Sequence, residues 1–376
     1  TPASLMARWA AAADDPGALG GRAWAVLGAG ARGPVVADLA ADGPHLLVAG
    51  PVGSGRTELL RSVAASLAAA ARPDRRGVVL VDGGVDGRDG GGGSAGGGTG
   101  ERAGEGLRAC TDLPHVSTHL AANDPVRMRE FAQSLTAELK RRAELLGRQG
   151  FAEWHTGRAV AGRMVAPRGA ADAAEVSGEA AESEVAAGAT LRLRPAKAGA
   201  RPDPGPPLAR LVVVVDDYDA LLAPALGSPG RPAAGSVVRA LEAVARDGER
   251  LGVHLVAAVR AVERVAETEV GRRAGLRVVL DPPGGGVEDP APGRGELLGP
   301  DGKVTAFQAG RVTGRIPRTA TLRPTVVPLE WDRMGDPPTR RPVRELGNGP
   351  TDLALLASAL DRATREVSAE RVPSLL

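Results

Sequence analysis

Residues 50–57 read GPVGSGRT, between an apolar run, HLLVA at 45–49, and a stretch with helical spacing, ELLRSVAASLAAAA at 58–71. A glycine-rich turn between a buried strand and a helix lets successive backbone N–H groups converge on one anion, and the helix N-terminus adds a positive dipole. The glycine spacing is that of the phosphate-cradling loop G-x-x-x-x-G-K-[ST], with Arg56 where the motif carries lysine. Gly50, Pro51, Val52, Gly53, Ser54, Gly55, Arg56 and Thr57 are therefore the candidate phosphate-binding residues, and the Thr57 hydroxyl is the candidate ligand for Mg2+. A second run, LVVVVDD at 211–217, is a buried strand ending in two acids. Asp216 is placed to organise Mg2+, and Asp217 lies where a water-activating carboxylate would stand.

Outward from these two runs, strands alternate with helices: GVVLVD at 77–82, a helix over 125–147, a helix over 236–250, and strands over 253–259 and 276–281. Strands that are apolar throughout imply a mostly parallel sheet covered on both faces. Thr57 and Asp216 can share one metal ion only if the sheet delivers both to one edge, so strands 45–49 and 211–215 are expected side by side. Residues 22–40 read as a hairpin ahead of the first core strand. Two segments, 85–106 and 160–207, are too poor in apolar residues to offset their ordering entropy and are expected to be disordered insertions. The expected division is a lead-in over 1–44, a core over 45–325 and a C-terminal extension with a helix over 326–376.

Composition narrows the setting. The longest apolar run is strand-sized, so no membrane span is expected. One cysteine, Cys110, excludes an internal disulfide. The net charge of +2 comes from arginines interspersed with acids, and aromatics are 2% of the chain, so neither a basic stripe nor a stacking platform for nucleic acid stands out. Cys110, His115 and His119 have a loosely metal-like spacing without a fourth ligand, and His45 and His254 stand at strand starts and read as structural. GAGARG at 28–33 has the glycines of a dinucleotide fingerprint but no helix after it.

Four stretches in order, DGPHLLVAGPVGSGRTELLRSVAASLA, LARLVVVVDDYDALL, ARDGERLGVHLVAAVR and GRGELLGPDGKVTAFQAGRV, resemble the FtsK/SpoIIIE family, which includes DNA translocases and type VII secretion ATPases; ADGPHLLVAG at 41–50 and GPTDLALLASALDRA at 349–363 are most similar to its actinobacterial tandem-domain branch. The resemblance implies a RecA-like P-loop NTPase fold, ATP and Mg2+ as ligands, sister ATPase domains in a longer polypeptide, a hexamer in the parent, and DNA or a secreted protein as substrate. It further implies a cytoplasmic domain tethered to the membrane through the parent. The chain starts at Thr1 without a leader, in keeping with a piece of a larger protein.

The departures from the family fall at working positions. Arg56 replaces lysine, Asp217 replaces a longer glutamate, Val259 and Arg260 replace the Thr and Gln that sense the terminal phosphate, Glu249 stands where an arginine is usual, and DGGVDG at 82–87 lacks the usual Tyr and Lys. A guanidinium is larger and flatter than an ammonium and cannot take the same point between phosphate oxygens. The expectation is thus a degenerate module that binds nucleotide and serves assembly or substrate docking. An active DNA or protein motor and a scaffold with an empty nucleotide site stay open as alternatives. Limited proteolysis is expected to cut first within 85–106 and 160–207; a first cut inside 211–260 would contradict the division.

Overall fold

The computed structural model describes residues 1–13, 21, 23–84, 106–165, 208–222, 232–284, 286, 290–319, 331–335 and 345–376. The chain runs α1 (Pro2–Ala13), β1 (Trp24–Gly30), β2 (Gly33–Asp38), β3 (His45–Ala49), α2 (Arg56–Ala70), β4 (Arg76–Asp82), β5 (Val116–Ala121), α3 (Pro125–Leu146) and α4 (Phe151–Val165). It continues through β6 (Arg210–Asp216), α5 (Tyr218–Leu222), α6 (Pro232–Leu251), β7 (Val253–Val259), α7 (Glu269–Arg273) and β8 (Leu276–Leu280). The last elements are β9 (Arg294–Leu298), β10 (Val304–Gln308), β11 (Arg315–Thr319), β12 (Glu345–Thr351) and α8 (Asp352–Glu366).

Ten strands form one sheet in the order β2-β1-β10-β9-β8-β3-β7-β6-β4-β5. From β8 to β5 every neighbouring pair is parallel, and from β8 to β2 every pair is antiparallel. The alternation of side chains along β6 shows how the parallel half is buried. Val212 and Val214 join a core with α2, α1 and α8, whereas Leu211, Val213 and Val215 join one with α3 and α6. Every residue of β6 is buried, which is why Leu211–Val215 run apolar without alternation. On β8 the pattern reverts to alternation, with Arg277 and Val279 exposed, because only one face of the antiparallel half is covered.

The hairpin expected over 22–40 is β1–β2, and it closes the antiparallel end of the sheet. The expected neighbours β3 and β6 are not adjacent. β7 lies between them, pairing with both in parallel register. The loop after β3 spans the intervening strand: the Gly50 N–H donates to the Val259 carbonyl at 3.2 Å, carrying the turn across the end of β7. α4 reaches Val165, so residues 160–165, expected to begin an insertion, are helical. Gly106, expected at the end of the other insertion, opens a short 3-10 turn ending at Cys110. The remainder of both segments lies outside the described residues. Among the described residues, no helix is long and apolar enough to cross a membrane.

At the amino ends of the parallel strands, polar groups are buried with specific partners. His45 accepts from the Leu255 N–H and bonds the Ala245 carbonyl, and His254 accepts from Arg210 at 2.6 Å while its other nitrogen meets Pro44 O. Both histidines are held well below the ordinary value, chiefly by burial, so they serve this end as neutral hydrogen-bonding groups. Arg142 of α3 ties three elements together through Glu138, Leu251 O and Ala209 O.

Gly248 inside α6 explains how closely that helix lies on the sheet: a Cβ there would stand 2.2 Å from the Val253 carbonyl. Helix propensity alone favours alanine over glycine by roughly 1 kcal/mol. The expected outcome of Gly248→Ala is nonetheless a loss of about 1–3 kcal/mol, because the helix must move off β7. Chemical denaturation of the variant checks the sign.

Candidate functional site

Parallel strands bring their carboxyl ends to one edge, and the site forms there from β3, β4, β6 and β7. The turn after β3 needs its glycines. Gly53 and Gly55 have φ of 82° and 93°, and a Cβ on Gly50 would lie 2.5 Å from Ser54 Oγ. Gly55 is also the N-cap of α2 and supplies no side-chain cap. The first N–H groups of α2 thus face the loop with no intrahelical partner, the geometry that receives a phosphate. Pro51 and Val52 are exposed at the tip, and the Ser54 side chain is buried.

The two acids at the end of β6 meet this loop. The Thr57 hydroxyl donates to Asp216 Oδ2 at 2.6 Å, although the residues are 159 positions apart. A hydroxyl and a carboxylate in contact are a hard-oxygen donor pair suited to Mg2+, and Thr57 and Asp216 are the residues that would hold it. Burial first, and then the neighbouring Asp217 charge, push the Asp216 carboxyl up to about 6, against the opposing Thr57 hydrogen bond.

Arg56 does not extend from the loop. Its guanidinium donates to the Gly50 carbonyl at 2.6 Å and to Asp217 Oδ1 at 3.1 Å, with only 9% of the side chain exposed. Asp217 has φ of 47°, a left-handed conformation rare outside glycine, and Arg260 Nε lies 3.9 Å from the same carboxylate oxygen. The residue expected to activate water is thereby a counter-ion between two arginines. Val259 is buried as the last residue of β7. Glu249 and Arg250 are exposed near the end of α6, where Arg250 bonds the Gly147 carbonyl.

Other residues singled out in the sequence are placed apart. Burial raises the Cys110 thiol to about 12 and lowers His115 to about 3, and His115 bonds Ala71 O. His119 instead joins the site's border, 2.8 Å from Asp82 Oδ2, while the other Asp82 oxygen accepts from Leu107 N. Asp82 is directly opposite Asp216 in the β4–β6 register. The glycines at 28–33 belong to β1, its bulge and the turn into β2. Tyr218 packs its ring in the core shared with α6.

Sequence reasoning missed Glu58. Its carboxylate accepts from Val312 N at 2.6 Å, Thr313 N at 2.8 Å, the Thr313 hydroxyl at 2.8 Å and Arg61 at 3.0 Å. Burial alone would raise this carboxyl, but the Thr313 N–H and hydroxyl and Arg61 outweigh it and hold it below the ordinary carboxylate range. The only local signal was an acid in the first turn of a helix, since its loop partners lie 254 and 255 residues away. Beside it, a cleft of about 1170 Å³ opens from Gly55 and is walled by Arg61, Arg108, Arg311, Thr313 and Arg315.

Residues 22–86, which include the hairpin, the loop, α2 and β4, match the profile of the FtsK/SpoIIIE family. Among solved structures, the cytoplasmic domain of the type VII secretion ATPase EccC of Thermomonospora curvata aligns at 18% identity with a TM-score of 0.56, over 94% of this chain and 32% of that one. ATPases 2 and 3 of the same EccC, in complex with a signal sequence peptide, align at 18% identity and a TM-score of 0.52, over 96% of this chain and 49% of that one. ATPases 2 and 3 of EssC from Geobacillus thermodenitrificans align at 12% identity and a TM-score of 0.52, over 94% of this chain and 50% of that one. No curated protein matches the chain. The likeness shows a fold shared with the EccC and EssC ATPase domains, and the profile match is confined to residues 22–86. The chain spans a third to a half of the EccC and EssC chains it resembles.

The raised Asp216 has a consequence for stability. Its folded value of about 6 exceeds the ordinary 3.8, so the native state holds a proton that the unfolded chain releases. Stability from this group is present below the ordinary value and is lost as pH rises through about 6. Asp216→Asn, measured without added magnesium, should therefore be more stable than the parent at pH 7 by up to about 3 kcal/mol. The gain should vanish near pH 4. Thermal unfolding of both proteins from pH 4 to 8 checks this.

Proposed function

We propose that the chain is a nucleotide-binding domain of a larger multi-domain ATPase, in which ATP with Mg2+ is held at Gly50–Thr57 and Asp216 and is hydrolysed slowly or not at all. The observation that carries this reading is the Arg56–Asp217 ion pair at 3.1 Å. One contact occupies both the cation that replaces the phosphate-contacting lysine and the carboxylate in the water-activating position. Asp217 is also one methylene shorter than glutamate, and a displacement of about 1 Å at a reacting group can cost on the order of 100-fold in rate. The remaining elements of a binding site support retention of the ligand: the uncapped helix N-terminus and the Thr57–Asp216 contact.

Such a domain serves its parent by assembly with sister ATPase domains or by docking a substrate. ATPases 2 and 3 of Thermomonospora curvata EccC are seen with a signal sequence peptide. A secreted protein is accordingly the substrate class favoured for the parent, with DNA as the competing one, and the parent's membrane tether and hexameric ring belong to the same reading. A second reading, an active motor domain, is favoured by the same Thr57–Asp216 contact, since a metal-binding pair suits turnover as well as binding.

Steady-state ATP turnover separates the two. The expected rate is far below the ~1 s⁻¹ and above typical of enzymes, and a rate in that range overturns the degenerate reading. Arg56→Lys should tighten nucleotide binding more than it raises turnover. Recovery of turnover should need Asp217→Glu as well, because catalytic groups that act as a unit are strongly non-additive.

A further inference from the structure

Glu58 follows Thr57 directly, and it is the carboxylate best supplied with donors around the loop. Two backbone N–H groups, one hydroxyl and one guanidinium converge on its two oxygens within 3.0 Å. The segment it holds is not an ornament of the helix. Val312 O accepts from Leu353 N at 2.9 Å at the start of α8, whose Leu353, Ala357 and Leu360 share the core with α2. On the other side, Gly293 N donates to Ser54 O at 2.7 Å, and Ala309 N donates to Gly293 O at 2.8 Å. The chain from Ala309 to Arg315 is thus pinned at one end to the phosphate loop through Gly293 and in its middle to the loop's helix through Glu58.

This pinned segment supplies one wall of the cleft of about 1170 Å³ that opens at Gly55. A nucleotide whose phosphates lie on the loop must place its nucleoside in space continuous with that loop, because the two are joined by a single ester. The cleft reaches the loop at Gly55, with Ala309, Gly310, Arg311, Thr313 and Arg315 on its wall. Glu58 itself does not point into the phosphate cradle as a ligand: an acid in the first turn of α2 favours the helix dipole but opposes a neighbouring polyphosphate. Its contribution to nucleotide binding has to come through the segment it holds.

We propose that Glu58 is a positioning residue that seats Ala309–Arg315 against α2 and thereby fixes the wall on which the nucleoside end of the ligand rests. The role rests on the nucleotide-binding reading given above. Removing Glu58 should act oppositely on the two ends of the ligand. The nucleoside loses a fixed wall, whereas the phosphates lose a nearby negative charge.

The test compares ATP with inorganic tripolyphosphate, both with Mg2+, by calorimetry on the full chain, together with amide hydrogen exchange of peptides covering 310–315 without ligand. For Glu58→Ala, ATP affinity should fall on the order of tenfold, as expected when hydrogen bonds to a charged group are lost. Tripolyphosphate affinity should be unchanged or tighter, and exchange at 310–315 should accelerate. Glu58→Gln should retain most of the ATP affinity, since it keeps an acceptor for the backbone N–H groups. Thr313→Ala, which removes one donor without touching α2, should give the same pattern at smaller size and guards against a Glu58 variant that fails to fold. Equal losses for both ligands, or unchanged exchange at 310–315, would overturn the role of Glu58 while leaving nucleotide binding intact. A parent chain that binds neither compound would instead bring down the nucleotide reading, and the positioning role with it.

Discussion

The contact of Thr57 with Asp216 at 2.6 Å is the point on which the arrangement of the sheet turns. Thr57 follows β3 and Asp216 ends β6, strands that do not touch because β7 separates them. The loop after β3 must therefore be long enough to cross the end of β7, and it must turn back sharply to start α2. Glycines with positive φ at 53 and 55 make that turn, and the Gly50–Val259 hydrogen bond anchors it on the strand it crosses. With the crossing fixed, α2 lies over one face of the parallel strands, and α3 and α6 close the other.

The same crossing concentrates charge. Asp82, Asp216 and Asp217 end neighbouring strands or begin the loops after them, and Arg56 and Arg260 approach from β3 and β7. Asp216 is buried with the Asp217 charge beside it, which is why its carboxyl is raised to about 6, whereas Asp217 lies within 3.9 Å of both arginines. The two acids of one dipeptide are driven to different roles by what stands across from them. A divalent cation between Thr57 and Asp216 would favour the ionised carboxylate and so return the stability that its burial removes.

Much of this was legible in the sequence because it is local. The apolar runs at 45–49, 211–215 and 253–259, the glycine spacing at 50–55 and the period of Met128, Phe131, Leu135 and Leu139 each report a neighbourhood within one turn or strand. The strand order was not legible, since nothing within either run records that β7 is inserted between them. Arg56 was visible as a substitution, but its turn back onto Gly50 O depends on Asp217, which is 161 residues away. β5 was passed over because its pattern mixes Ser, Thr and His with apolar residues, as an edge strand with one half-open face can. Glu58 was missed for the strongest form of the same reason: every partner but Arg61 lies in a loop more than 250 residues downstream.

These long-range contacts also explain why an altered loop can keep its shape. Arg56 brings a guanidinium into a turn whose motif carries an ammonium, and a buried cation without a partner would cost several kcal/mol. Here the Gly50 carbonyl and the Asp217 carboxylate satisfy it, one from inside the turn and one from the facing strand end. Asp217 does so from a backbone at φ of 47°, with its carbonyl so close to Gly83 that a Cβ there would stand 2.6 Å from it. Arg56 and Asp217 are therefore one structural unit, and the pair holds the loop's geometry.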